Sequence, residues 1–565
     1  MSNKFRFRHH DNIGVADAEQ DHAFLASCFM DVGDIAILKD CDDPRRIVLG
    51  RTGAGKTALL YQFSQEHDNV IEIKPESLAL AYISNSTILQ FVHGLGVNLN
   101  IFFKLLWRHV FTVEILKTHF HLDSQQATVP VVEKIKNFFS GRNRRHIQAM
   151  EYLEKWGKTF WEETDYRIRE LTTKLESDLK ASIDAAKIGI PISAQGGQSL
   201  TEEQKSEVVY RAQHVVNEVQ IRQLSDMIEL IDEVLEDPKR KYYIVIDRLD
   251  EDWVEDGLRY LLIRALIETV RDFGKVKHAK IVIALRYDLL DRVVRLTRDA
   301  GFQEEKYECL YLPIEWTREQ LINLLDLRVD ALVRQRYTTR SVTHSDLLPS
   351  KINKQPSIDY ILKRTLMRPR DVILFFNLCI AQAANNPSIT AQMIRQAEGE
   401  YSRLRLRSLA DEWHSDYPKL LCFADLLKGR PALFALESVT EDDCLNLCVK
   451  LHEQGVLEND ELSVAALNLV DAKMKFQDFR TTIMAAFYKV SLVGLKLEHY
   501  ESVSWSIGGR RSVSLAEIGA GTRIAIHPCF WRTLGVRDFE LKNVAARMTV
   551  TETLTCGLQP PLSGL

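Results

Sequence analysis

Gly50-Arg51-Thr52-Gly53-Ala54-Gly55-Lys56-Thr57 is the segment of this chain whose residue types and spacing carry the clearest chemistry. It satisfies G-x-x-x-x-G-K-[ST] in full. Glycines at these places let the backbone curl until its N–H groups face a phosphate chain, and a helix starting behind them adds partial positive charge. Lys56 can reach β- and γ-oxygens, and the Thr57 hydroxyl can face Mg²⁺. The expected ligands are therefore ATP and Mg²⁺, held by Gly50, Arg51, Thr52, Gly53, Ala54, Gly55, Lys56, Thr57 and Ala58.

Such a loop needs a second acidic group for the metal. Tyr243-Ile-Val-Ile-Asp247 supplies it as an apolar strand ending in a carboxylate, so Asp247 joins Thr57 as a metal residue. Water activation needs another carboxylate close by, and Asp250 and Glu251 both qualify. Arg286 ends the next apolar strand, where it would face the γ-phosphate if the two strands are neighbours; the plain alternative is a surface arginine. Arg292, Arg295 and Arg298 follow on one expected helix, a place for an arginine reaching a neighbouring subunit or for solubilising charge.

The elements that must position these groups are legible as short apolar runs. Strands are expected at 46–49, 70–73, 242–246, 279–285 and 309–312. Helical spacing follows the loop at Leu59, Leu60 and Phe63 and recurs over 258–273. Short aliphatic strands alternating with helices imply a parallel sheet covered on both faces, an α/β core. A helical lead-in spans 21–38, and the apolar stretch 87–116 reads as a buried helix pair. Residues 121–236 read as a helical hairpin inserted into the core, with a break at 188–197 and a capping box at Ser199 and Glu202. The core resumes over 237–315, a helical lid covers 316–410, and 411–565 form a helical and winged-helix domain. In that domain strands at 503–507 and 522–526 flank Gly508-Gly509-Arg510-Arg511.

The chain has 565 residues, enough for about three or four structural units at roughly 150 residues each. A net charge of −5 with 45% hydrophobic and 27% charged residues neither demands nor excludes nucleic acid, so only a local basic patch could argue for it. Arg510 and Arg511 at the expected wing tip are the better DNA candidates; Arg142, Arg144 and Arg145 read as a solvated turn or as a phosphate-backbone contact. Nine scattered cysteines fit reduced thiols, and MSNKFRFRHHDN has no apolar core behind its basic residues, so a cytoplasmic location without membrane attachment is expected. Cys444, Cys448 and His452 share a helix face, but without a second ligand pair they read as packing rather than metal binding.

Several of these segments resemble one group of proteins. GRTGAGKT, IVIDRLDE, IVIALRYD, Leu312-Pro-Ile-Glu-Trp316, Met367-Arg-Pro-Arg-Asp371 and Ile526-His-Pro-Cys-Phe530 are similar to bacterial P-loop ATPases between the AAA+ and STAND groups, relatives of the KAP NTPases found in mobile and defence loci. The resemblance implies an AAA+-like core, a lid in which Arg368 or Arg370 senses the γ-phosphate, and a C-terminal winged helix. It also implies a homo-oligomer or a nucleotide-driven switch that controls a partner effector in anti-phage defence. The alternative is an ATP-dependent DNA-binding protein of the initiator or transposition-regulator type; a third reading is a scaffold with little turnover.

Overall fold

The computed structural model describes residues 5–15, 18–75, 99–122, 144–156, 228–229, 231–235, 237, 239–251, 253–254, 256–298, 303–334, 340–453, 460–506 and 513–537. Most of the expected insertion, including 188–202, lies outside the described residues. So do Arg142, Arg510, Arg511 and the tail beyond 537. The chain divides into two compact units. The first comprises Met1–Met30, Arg51–Gly55 and Glu315–Leu565, and the second comprises Asp31–Gly50 and Lys56–Ile314. Helix α1 (His22–Cys28) belongs to the first unit.

In the second unit, α2 (Asp34–Lys39), β1 (Ile47–Leu49), α3 (Lys56–Glu66) and β2 (Val70–Ile73) come first. They are followed by α4 (Asn100–His119), α5 (Arg144–Trp156), β3 (Tyr242–Ile246), α6 (Asp256–Asp272), β4 (Ala279–Leu285), α7 (Tyr287–Leu296) and β5 (Tyr311–Pro313). The five strands form one parallel sheet in the order β2-β3-β4-β1-β5. Burial follows that order. The three inner strands β3, β4 and β1 are buried throughout, whereas β2 and β5 at the edges are partly exposed. This is why the inner strands read as unbroken aliphatic runs: helices cover both faces of the sheet.

The last strand differs from its expected place. Cys309 and Leu310 end a 3₁₀ helix (Glu304–Leu310), and the strand is Tyr311–Pro313, paired with Ile47–Leu49. Pro313 is tolerated because β5 is an edge strand, where a missing N–H breaks no ladder bond. Of the apolar stretch 87–116, the described part is a single helix, α4. Its Trp107 donates to the Leu262 carbonyl at 2.9 Å, and Lys104 lies 3.3 Å from both Glu268 and Asp272, which binds α4 to α6. Lys280, wholly buried in β4, donates to the carbonyls of Ile37, Asp40 and Asp43 at 2.8, 2.6 and 3.1 Å. It thereby fixes the turn that delivers the chain into β1, and burial pulls its pKa down to about 8.

The first unit resumes with α8 (Arg318–Arg334), a two-stranded hairpin β6 (Lys351–Ile352) and β7 (Gln355–Pro356), α9 (Pro369–Gln382) and α10 (Ala391–Glu412). Then come β8 (Leu433–Ala435), α11 (Glu441–Glu453), α12 (Glu461–Val470), α13 (Phe476–Lys489), β9 (Val493–Lys496) and β10 (Arg523–Ile526). Phe375 of α9 stacks on Tyr401 of α10 with ring centroids 4.6 Å apart, and Arg328 of α8 holds Asp21 at 2.7 Å ahead of α1. One strand before α11–α13 and two after them join in a three-stranded antiparallel sheet, β8-β10-β9. Its strand before β10 is Val493–Lys496 and not 503–507; of the described part of that segment only Ser504 pairs, with Leu495. Gly494 explains the arrangement, because a Cβ there would stand 2.6 Å from Val503 and 2.8 Å from Trp505, so the following chain crosses directly over the strand.

Buried titratable groups give the fold a defined acid response. His109 on α4 is 1% exposed, pairs with the Tyr152 hydroxyl of α5 at 2.9 Å, and is lowered by burial, with Lys117 adding, to about 3. Between that value and its ordinary 6.5 only the unfolded chain takes up the proton, so stability must fall as the pH drops through this window. Denaturant unfolding at pH 7 and pH 5.5 should lose up to about 1.4 kcal/mol per pH unit from this group. His109→Gln should lose less over the same interval, and an identical slope would rule this contribution out.

Candidate functional site

In the second unit the sheet order places β4 between the strand that enters the glycine loop and the strand that ends in Asp247. The carboxyl ends of β1, β4 and β3 therefore deliver Gly50, Arg286 and Asp247 side by side. Gly50 N–H donates to the Leu285 carbonyl at 3.3 Å, and α3 begins at Lys56. The Lys56 ammonium donates to the Gly50 carbonyl at 3.1 Å. Shielding from water lowers its pKa, while the carboxylates of Asp247, Asp250 and Asp288 oppose that and Arg286 reinforces it. Those four groups are thus the charges that this ammonium faces.

Asp247 is raised above the usual carboxylate range by desolvation. A hydrogen bond from the Thr57 hydroxyl, the Arg248 N–H at 2.8 Å and the nearby Lys56 partly offset this. Arg248 adopts a left-handed φ of 60°, which turns the chain sharply after the strand. Asp250 then accepts from Arg286 Nη1 at 3.1 Å, whereas Glu251 lies 3.6 Å from Arg248 on an exposed edge. Of the two carboxylates left open by the sequence, Asp250 stands with Lys56 and Arg286. Arg292 is buried 3.6 Å from Asp288, and Arg295 and Arg298 are exposed.

The residues Arg51–Gly55 belong to the first unit. Gly53 and Gly55 have φ of +78° and +101°, and a Cβ on Gly53 would stand 2.7 Å from Arg370, so a side chain is excluded there on two counts. Trp316 donates its indole N–H to the Ala54 carbonyl at 2.8 Å. Arg368, 3% exposed, donates to the Thr52 carbonyl at 2.6 Å and to Asp371 at 3.1 Å, and lies 3.5 Å from Glu412. Burial alone would lower its pKa; Asp371 and Glu412 outweigh it and raise it. Arg51 donates to Ser491 at 3.0 Å and lies 3.9 Å from Glu412; burial brings it down to about 10 against the pull of Glu412. Arg405 completes the cluster 3.4 Å from Asp371.

Arg368 and Arg370 are thus placed differently. Arg368 is bound to acids and to a loop carbonyl, and Arg370 packs along Gly53. Sequence reasoning singled out neither Asp288 nor Trp316, Glu412, Ser491 and Arg405, although Asp288 and Trp316 stood inside quoted segments. Nothing in a sequence marks Glu412 or Ser491, since only the tertiary fold brings them to Arg51. Cys444 and Cys448 are buried with thiols raised by burial to about 12 and 11, His452 is exposed, and no metal-holding group of three ligands exists among the described residues. No described helix is long and apolar enough to cross a membrane.

The residues present fit the ligands implied by the motif. Thr57 and Asp247 are already hydrogen-bonded to each other, and both offer the hard oxygens that Mg²⁺ prefers. Lys56 and the start of α3 supply the positive charge that a phosphate chain requires. The second unit is thus a five-stranded parallel α/β sheet whose strand ends bring Lys56, Thr57, Asp247, Asp250 and Arg286 together.

A family model described as the FunZ-associated C-terminal helical domain matches residues 319–410. An 80.3 kDa protein attributed to transposon gamma-delta of Escherichia coli (strain K12) is similar at 23% identity over 93% of this chain and 67% of its own length. Among solved structures, the chain resembles a Walker-type ATPase of Pyrococcus abyssi at 10% identity and a TM-score of 0.34, covering 85% of this chain and 95% of that one. It also resembles Cdc6p of Pyrobaculum aerophilum at 10% identity and a TM-score of 0.24, covering 86% and 83%.

The raised pKa of Asp247 sets a stability test. A carboxylate whose folded value is raised withdraws stability as the pH rises through that value, so at pH 7 its charge opposes folding of the nucleotide-free protein. Asp247→Asn should raise the melting temperature of the nucleotide-free protein. A lower melting temperature would contradict the assignment of a net desolvation cost.

Proposed function

We propose that this protein is a Mg²⁺-dependent ATPase that works as a nucleotide-driven switch. The observation that carries the reading is the convergence of Lys56, Thr57, Asp247, Asp250 and Arg286 at adjoining strand ends of one parallel sheet. Lys56 and the N-terminus of α3 bind the phosphates, while Thr57 and Asp247 hold Mg²⁺. When bound, the metal neutralises charge that develops across the β- and γ-phosphates. Asp250 orients the attacking water and takes up its proton. The water oxygen bonds to the γ-phosphorus, the bond to the β–γ bridging oxygen breaks, and ADP and phosphate leave. Arg286 offsets negative charge on the transferred group.

Residues 51–55 are bonded within the first unit by Trp316, Arg368 and Arg51 itself, which supports a switch in which a change in these residues is felt at Glu412 of α10 and at Ser491. A homo-oligomer or a partner effector would receive that signal, and an anti-phage role is one setting for such control. The transposon-linked relative favours a second reading, in which ATP fixes a DNA-bound shape of a transposition regulator through a C-terminal winged helix bearing Arg510 and Arg511.

Phosphate release with ATP and Mg²⁺ should fall at least about a hundredfold in Lys56→Ala, a loss of the size seen when a principal electrostatic contact is removed. Undiminished hydrolysis would contradict the ATPase reading. For the second reading, duplex binding with ATP should weaken linearly in log salt, and Arg510→Ala with Arg511→Ala should lower the slope by about two. Absence of ATP-dependent DNA binding would reject it.

A further inference from the structure

Arg286 stands at the N-cap of α7 with an extended backbone, φ −88° and ψ 147°, and its side chain reaches into the first turn of that helix. Asp288 meets it there. Nε donates to Asp288 Oδ1 at 2.9 Å and Nη2 donates to Oδ2 at 2.8 Å, a two-point fork, while Nη1 donates to Asp250 Oδ2 at 3.1 Å. The two carboxylates are not equivalent. The Asp288 side chain is 6% exposed and is also approached by Arg292 at 3.6 Å, whereas the Asp250 side chain is 38% exposed and makes one such bond.

From this asymmetry we infer that Asp288 is a positioning residue that lets the protein distinguish ATP from ADP. The inference rests on the ATPase reading and adds to it. A guanidinium is planar, and its donors keep a fixed fork, so two parallel bonds to one carboxylate stop it from rotating. Asp288 therefore keeps one edge of Arg286 still and leaves Nη1 as the donor open to exchange. An oxygen of the γ-phosphate competes with Asp250 for that donor. When it succeeds, the arginine is on the phosphate and Asp250 is released to orient water. ADP has no γ-oxygen and leaves the Arg286–Asp250 pair intact.

The same charges appear in the surroundings of Lys56, which faces Asp250, Arg286 and Asp288 together. Two like charges near one another are unfavourable without a ligand or a counter-ion between them. Asp288 supplies the counter-ion when the ligand is absent.

The test is equilibrium titration of the full chain with Mg²⁺·ADP and with the Mg²⁺ complex of adenylyl imidodiphosphate, which keeps the γ-phosphoryl group and is not hydrolysed. Asp288→Asn should weaken binding of the triphosphate analogue about tenfold, as expected for one misplaced charge-assisted hydrogen bond. ADP should stay within about twofold, the scatter of an uncoupled site. In an Arg286→Ala background, adding Asp288→Asn should change neither affinity further, since the acid acts through the arginine. Equal weakening for both nucleotides, or a further loss in that background, would overturn the inference and leave the ATPase reading standing. If Asp288→Asn does not fold, Asp288→Glu serves: it keeps the charge but shifts the fork, so the preference for the triphosphate should narrow, and an unchanged preference overturns the inference. A wild-type protein that binds neither nucleotide would reject the ATPase reading, and this inference with it.

Discussion

A half-buried lysine and a half-buried carboxylate that face each other, Lys56 and Asp247, set the terms for the second unit. Each is shifted by desolvation toward its neutral form, and the shifts run in opposite directions: down for the ammonium and up for the carboxylate. Such a pair is weak evidence for stability, because removing charges from water costs about as much as their attraction returns. It fits the proposed ligand, which bears both a metal ion and phosphate charge. Everything nearby serves to hold the two groups in register: the sheet order that puts β4 between β1 and β3, the left-handed turn at Arg248, and the Lys280 anchor beneath β1.

A second buried ionic group shapes the first unit. Arg368, Asp371, Arg405, Glu412 and Arg51 are tied within 4 Å steps, and Arg368 and Trp316 bond to carbonyls of residues 52 and 54. Asp371 is held well below the usual carboxylate range because Arg368 and Arg405 outweigh its burial. Breaking one member would strand a buried charge, so the cluster behaves as a unit with few intermediate arrangements. Residues that touch both loop carbonyls and the end of α10 are suited to carry a change in one to the other.

The sequence was most informative where chemistry and geometry coincide locally. The loop from Gly50 to Thr57, the strands at 70–73, 242–246 and 279–285, and Asp247 at a strand end are legible because period, glycine spacing and apolar runs are properties of consecutive residues. Three kinds of feature were not. The strand at Tyr311–Pro313 was misplaced because an apolar run does not reveal where a 3₁₀ turn gives way to pairing with β1. The strand at Val493–Lys496 was hidden because what defines it is Gly494 lying under Val503 and Trp505, a contact across the chain. The fork from Asp288 and the partners of Arg51 depend on tertiary placement, and Ser491 lies 440 residues from Arg51.

Hydrogen exchange of the full chain, with and without ATP and Mg²⁺, tests the central claim most directly, since it reads the proposed ligand residues without requiring turnover. The account predicts that nucleotide with metal slows exchange over 50–66 and 242–251, and that Lys56→Ala abolishes the effect. Unchanged exchange in both segments at saturating nucleotide, or protection that survives Lys56→Ala, would contradict it.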